Sequence, residues 1–205
     1  MLGDIILRVL PIISPPRVRA LGIPIRSIAA ACHFSLITCE NVKDYASVLK
    51  LRYLAYSAVG KAARGKPTST MADHHDEIAT IVMAKHGHRV VGSLRVVRPR
   101  PERLHEYEEL TPIPSLLQDK ATLVVVSRVC THPGYRGSDL LKALVDKADE
   151  VALSFGRRYA IGGCTGELLP VYQRFGWRSS GVRYSHASLQ GVSEQLIYKD
   201  LRPEN

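Results

Sequence analysis

The chain has 205 residues, 45% of them hydrophobic, with 28 Lys and Arg against 19 Asp and Glu, a formal net charge of +9 and a sequence pI of about 9.6. One domain is expected at this length, able to bury roughly 70% of the surface its unfolded chain exposes. The positive excess suits an acidic partner, whether nucleic acid, anionic lipid or acidic protein. The basic residues are scattered singly or in pairs, without a Lys/Arg run or aromatic interleaving, which argues against nucleic acid.

Residues 1–33 differ from the rest. Pro11, Pro15, Pro16 and Pro24 interrupt short apolar bursts, and Arg8, Arg17, Arg19 and Arg26 face one acid, Asp4. No apolar stretch there approaches the roughly 20 residues that span a bilayer, and the charge is not gathered before one apolar block as in a secretory signal. Two readings stand: an arm that packs on the domain or stays mobile, and a basic, apolar segment making peripheral contact with a membrane or a partner.

The domain proper, 34–205, is expected to open with a strand over 34–38. Asn41 or Asp44 then caps a helix to about Val59, with apolar positions Val42, Tyr45, Ala46, Leu49, Tyr53 and Tyr56 at helical spacing. A basic loop over 60–70 leads to strands over 77–85 and 89–98, joined at His86-Gly87-His88 as a hairpin. After a charged connection over 99–110, Thr111 is a cap for a short helix over 113–117. Ala121 to Val129 is apolar and β-branched, as in a strand buried on both faces. His132-Pro133-Gly134 breaks that strand, and Ser138 or Asp139 caps a helix from Leu140 to about Phe155. A strand over 158–162, a helix from Thr165 or Gly166 to Phe175, and strands over 177–188 and 192–201, with Gln190-Gly191 between them, complete the order. Strand, glycine turn and helix N-terminus at 121–141 together make an anion site, because the first N–H groups of a helix have no partner inside it.

Two motifs point to a family. The segment HPGYRGSDLLKAL resembles the acyl-CoA loop of the GNAT acyltransferase superfamily, in which an R/Q-x-x-G-x-G/A turn cradles the coenzyme's pyrophosphate. Counting from Arg136, Asp139 stands at the fourth position and Leu141 at the sixth, where the pattern has small residues; a carboxylate repels phosphates and a leucine crowds them. The segment from Pro170 to Trp177 is similar to the superfamily's F-Y-x-x-x-G-F, with Tyr172 four residues before Gly176. The resemblance implies an α/β fold with a mixed, mostly antiparallel sheet of six to seven strands flanked by helices, and a Tyr172 that protonates the departing thiolate.

A third pattern narrows this. Arg52 in LRYLAY, Asp73 and Asp76 in DHHD, Arg95 in GSLR and Arg128 in VSRV follow the order found in acyl-homoserine-lactone (autoinducer) synthases and the long-chain N-acyl amino acid synthases. Val125 departs from the lactone-synthase pattern, which has a glutamate three residues before the arginine, so the resemblance is nearer the N-acyl amino acid synthases. It implies transfer of an acyl group, long-chain in those relatives, from the phosphopantetheine of acyl carrier protein to the amine of an amino acid. The donor arm lacks the nucleotide pyrophosphate, and the +9 charge speeds encounter with an acidic carrier. Catalytic candidates are Tyr172, Asp73, Asp76, Arg95 and Arg128. Substrate-binding candidates are Arg52, Val126, Ser127, Val129, Arg136, Gly137 and Ser138, with backbone N–H groups near Val126–Val129 stabilising the oxyanion. A water held by Asp73, Asp76 or backbone carbonyls takes the amine's proton, and the residues do not choose among these. A purely structural role, in which Asp73 and Asp76 tie their loop to Arg95, stands beside the catalytic one.

Other classes remain: an acetyl-CoA-dependent N-acetyltransferase, and a non-catalytic module binding carrier protein or lipid. No permanently bound cofactor is expected. The cysteines, at 32, 39, 130 and 164, lack C-x-x-C spacing, which suits a reducing, cytoplasmic setting. Direct transfer requires no covalent enzyme intermediate; the alternative is a nucleophile in Cys130 with His132, alternate strand residues and the sole Cys–His pair suggesting one. His74-His75 and His86-Gly87-His88 look most like metal ligands, but no Cys or carboxylate spacing completes a zinc site, so no metal is expected and these are read as solvated turn histidines.

Overall fold

The computed structural model describes residues 34–62, 65–137, 139–186 and 191–202. The proposed arm, Ser138 and the turn residue Gln190 lie outside these.

A seven-stranded sheet carries the chain: β1 (Ser35–Thr38), β2 (Ala79–His86), β3 (Arg89–Val97), β4 (Leu123–Thr131), β5 (Tyr159–Cys164), β6 (Arg178–His186) and β7 (Val192–Asp200), in the spatial order β1-β2-β3-β4-β5-β7-β6. Only β4 and β5 pair in parallel; every other neighbouring pair is antiparallel. Helices α1 (Val42–Ser57) and α2 (Leu140–Ser154) cover its two faces, and a short α3 (Leu169–Gln173) follows β5.

Period-two patterning assigns the faces. Ile81 and Met83 of β2, with Cys130 of β4, pack against Val48, Leu51, Ala55 and Tyr56 of α1. The intervening Val82 and Ala84, with Val124 and Val126, pack against Leu140, Leu144, Val145, Ala148 and Ala152 of α2. Asn41 caps α1 by accepting from the Asp44 amide at 2.9 Å. The β2–β3 hairpin turns on Gly87, whose φ of 59° lies in the left-handed region that costs glycine least.

Several expected boundaries move. Thr111 caps no helix: Thr111 and Ile113 each precede a proline, which disfavours helical backbone there, and a single 3-10 turn forms after Pro114, over Ser115–Leu117. The strand expected to end at Val129 continues to Thr131, and the following turn is a 3-10 turn over Pro133–Tyr135. Gly162 and Gly163 lie within β5 instead of leaving it. The helix expected from 165 to 175 divides into a 3-10 turn over Gly166–Leu168 and α3. No described helix is long and apolar enough to cross a membrane.

Candidate functional site

The centre of the sheet opens where its two parallel strands part. β4 pairs with β5 only over Leu123–Val125 and Tyr159–Ile161. On its other side, β4 is bulged: the register passes from Arg95↔Ser127 to Ser93↔Cys130, so Leu94 alone faces both Arg128 and Val129. Arg128 takes a φ of 53°, the sole positive value among described non-glycine residues. Such a backbone costs a residue with a Cβ on the order of 1–2 kcal/mol, and the Arg128 guanidinium is anchored on Asp73 at 2.5 Å.

Between the parting strands lies a cavity of about 80 Å³, lined on one wall by Ser127, Arg128 and Val129 and on the other by Gly163 and Cys164. Tyr172 of α3 also lines it, and Lys61, Glu106 and Glu194 bring two carboxylates and a cation to it. Burial pushes the Tyr172 phenol above its usual value, with nearby Cys164 and Tyr56 adding to the rise, so it stays protonated. Its hydroxyl makes no hydrogen bond among the described residues, which leaves the O–H available to the cavity. Glu194 accepts from Lys61 at 2.5 Å and from the Tyr184 hydroxyl at 2.9 Å. A side chain at Gly163 would place its Cβ 1.9 Å from that hydroxyl, so only glycine fits there.

Behind the bulge sits a shielded ionic cluster. Arg52 grips Asp76 bidentately, at 2.7 and 3.0 Å, and donates to the Met71 carbonyl at 3.2 Å. Arg95 donates to Ser127 at 2.9 Å, Asp76 at 3.0 Å and Glu106 at 2.7 Å, and also to Asp73. Arg52 and Arg95 are both 0% exposed. Burial alone would raise the Asp73 carboxyl, but Arg95 and Arg128 outweigh it and hold the group down at about 2. Three guanidinium groups thus meet three carboxylates, and the hydrogen bonds offset the cost of taking those charges out of water.

The predicted residues therefore separate into two places. Ser127, Arg128, Val129 and Tyr172 line the cavity; Arg52, Asp73, Asp76 and Arg95 form the cluster behind it, joined to the cavity by Arg128 and Glu106. Val126 is buried between the sheet and α2, and its carbonyl accepts from Tyr107 at 3.2 Å. Arg136 and Gly137 are exposed on the turn before α2, where Gly137 has a φ of 79° and open space around it. Leu141 is half-buried against the core, which turns it away from the crowding role expected of it.

Two alternatives that the sequence leaves open narrow here. A carboxylate held down by two arginines is a poor base, so Asp73 is ill suited to managing the amine's proton. Cys130 is buried under α1 and its thiol is pushed up to about 12, while His132 turns its Nδ1 to the Gly134 amide at 3.1 Å; the Cys–His pair does not form. Cys39, Cys130 and Cys164 are free thiols.

The charged cavity residues Lys61, Glu106 and Glu194, and the Tyr184 that supports Glu194, escaped the reading of the sequence. So did Glu109. His75, expected to be solvated, is 4% exposed, and its Nε2 lies 3.4 Å from a Glu109 oxygen; the His74 Nε2 lies 3.4 Å from the other.

Comparison with known proteins bears on this geometry. Residues 51–146 match the family model described as acetyltransferase (GNAT) domain. The N-acyl amino acid synthase FeeM from uncultured soil microbes superposes with a TM-score of 0.65 at 11% identity, over 82% of this chain and 91% of that one. A putative N-acetyltransferase from Lactobacillus plantarum gives 0.58 at 19% identity, over 82% and 99%. Salmonella typhimurium yncA, a putative acetyltransferase described with its cofactor acetyl-CoA, gives 0.59 at 13% identity, over 84% and 96%. No curated protein matches the chain in sequence. The chain has the α/β GNAT fold, a seven-stranded and mostly antiparallel sheet flanked by helices, and its match to the acetyltransferase (GNAT) domain over residues 51–146 supports an acyltransferase.

Proposed function

We propose that the protein is an N-acyltransferase that moves an acyl group from a phosphopantetheine thioester, carried by acyl carrier protein, to the amine of an amino acid. The observation that carries the transferase reading is the parting of β4 from β5 beside the Arg128 bulge, with Tyr172 and Glu194 both lining the gap. A thioester entering the gap lies along the unpaired edge of β4, where backbone N–H groups meet the oxygen that becomes negative during attack.

The amine nitrogen attacks the thioester carbon, the C–N bond forms and the C–S bond breaks. Bound as an ammonium, the nitrogen sheds one proton before it attacks and a second as the amide forms, both to water in the cavity; the sulfur receives a proton from Tyr172, and water returns one to the phenolate. Burial raises the proton affinity of the departing thiolate by the same physics that raises the phenol's, so the transfer remains feasible. An amino acid suits the cavity because Lys61 and Arg128 complement its carboxylate, while Glu106 and Glu194 complement its ammonium. The +9 net charge favours an acidic carrier as partner.

A second reading, acetyl transfer from free acetyl-CoA, draws on the turn before α2, where Gly137 is exposed with open space around it. The retreat of Leu141 into the core also removes one obstacle to a pyrophosphate at Gly137.

The test incubates the full chain with palmitoyl carrier protein and a pool of the twenty amino acids, or with acetyl-CoA and the same pool, and analyses both mixtures by mass spectrometry. An N-palmitoyl amino acid in the first supports the proposal. Acetylated products in the second alone establish the second reading, and no product in either removes both.

A further inference from the structure

We infer that His74, His75 and Glu109 form a binding site for a divalent transition metal of the zinc class, on the outer side of the turn that carries Asp73 and Asp76. His74 and His75 open the 3-10 turn His74–Ile78, whose cap, Asp73, accepts from the His75 amide at 3.0 Å. That turn holds the two imidazoles side by side, with ring centroids 4.0 Å apart. Glu109 comes from the connection between β3 and β4, where its amide donates to the His105 carbonyl at 3.2 Å.

The spacing fits a metal better than it fits hydrogen bonds. Each His Nε2 stands 3.4 Å from its own Glu109 oxygen, and the ligating atoms all lie within 4.8 Å of one another. An N–H···O bond ordinarily spans about 2.7–3.2 Å, so both contacts are long for that purpose. Ligand atoms bound to tetrahedral zinc at its usual bond lengths are about 3.3 Å apart, which is close to both histidine–carboxylate distances. Two imidazoles and a carboxylate are also the donors that such ions choose. Three protein ligands leave a fourth position for water, and His74 and Glu109, both exposed, give the ion a path in.

The consequence is mechanical. The ion ties the turn carrying Asp73 and Asp76 to the segment carrying Glu106 and Tyr107. Glu106 pairs with Arg95 at 2.7 Å, and the Tyr107 hydroxyl donates to the Val126 carbonyl at 3.2 Å. A metal at this point clamps the ionic cluster and one wall of the cavity without touching the reacting groups.

The test uses the untagged full chain stripped with EDTA, then titrated with zinc chloride by calorimetry while thermal unfolding is followed. One equivalent is expected to bind and to raise the melting temperature, with magnesium leaving it unchanged. His74→Ala and Glu109→Gln, both at exposed positions where folding is little perturbed, are each expected to weaken zinc binding at least about tenfold and to abolish the melting shift. No saturable binding up to about 100 μM zinc overturns the inference, and so does equal binding by wild type and both variants.

Discussion

Arg52 and Asp76 meet through two parallel hydrogen bonds, Nη1 to Oδ2 at 2.7 Å and Nη2 to Oδ1 at 3.0 Å, with the guanidinium wholly shielded from water. Removing Arg52 strips the buried Asp76 of its bidentate partner and leaves it the single Arg95 contact at 3.0 Å and the Tyr45 hydroxyl at 2.9 Å. Arg52→Ala is therefore expected to lose about 3–5 kcal/mol of stability, read from urea unfolding. Arg52→Lys keeps the charge but forfeits the fork, so its loss is expected to be smaller but distinct. An Arg52→Ala protein as stable as wild type would show that the cluster does not hold the fold.

Tyr172→Phe removes a hydroxyl that has no partner among the described residues, so melting is expected to stay unchanged. If the phenol serves the leaving sulfur, kcat falls about 100-fold or more while KM changes little. Steady-state kinetics on the preferred thioester decides the matter, and an undiminished kcat removes Tyr172 from the chemistry.

Gly163→Ala sets a methyl group against the Tyr184 hydroxyl, which holds Glu194 at 2.9 Å. Overpacking of this kind costs about 1–3 kcal/mol. Tyr184→Phe removes the colliding oxygen, so the double variant is expected to be more stable than the two separate losses add up to. Strict additivity in that cycle would mean that the methyl group is accommodated elsewhere.

His105 supplies a pH dependence. It is 3% exposed, its Nδ1 accepts from the Tyr107 amide at 3.2 Å, and burial holds its pKa down at about 4. An unfolded histidine titrates near 6.5, so between about 6.5 and 4 the unfolded chain binds a proton that the folded one refuses. This contribution is fully present above pH 6.5 and is lost as pH falls toward 4, by up to about 3 kcal/mol. Melting of EDTA-treated protein across that range is expected to fall less steeply for His105→Asn. Identical slopes would assign the dependence to other groups.

Much of the sheet is legible in the sequence because its signals are local. Gly87 marks the hairpin, Asn41 marks the start of α1, and the β-branched run before His132 marks the central strand. The boundary errors arise where tertiary packing overrides local signs. Gly162-Gly163 reads as a strand's end, yet the pair continues the strand, paired with Ile197 and Leu196, and is glycine because Trp177 and Tyr184 occupy the space that side chains would take. The arginine and aspartate motifs predict a cluster, and one forms. What the motifs lack are residues that meet only across the fold, such as Lys61 and Glu194, separated by 133 positions and joined at 2.5 Å. Glu109 escaped for the same reason, lying 34 positions from its partner His75.

The ionic cluster has a consequence for how the molecule behaves in solution. Arg52, Arg95 and Arg128 cancel Asp73, Asp76 and Glu106 within the fold, so the whole +9 surplus is carried by other residues. Added electrolyte screens charges that face water and barely reaches those that do not. Raising ionic strength is thus expected to slow the approach of an anionic partner well before it loosens the interior, which separates capture from architecture in one titration.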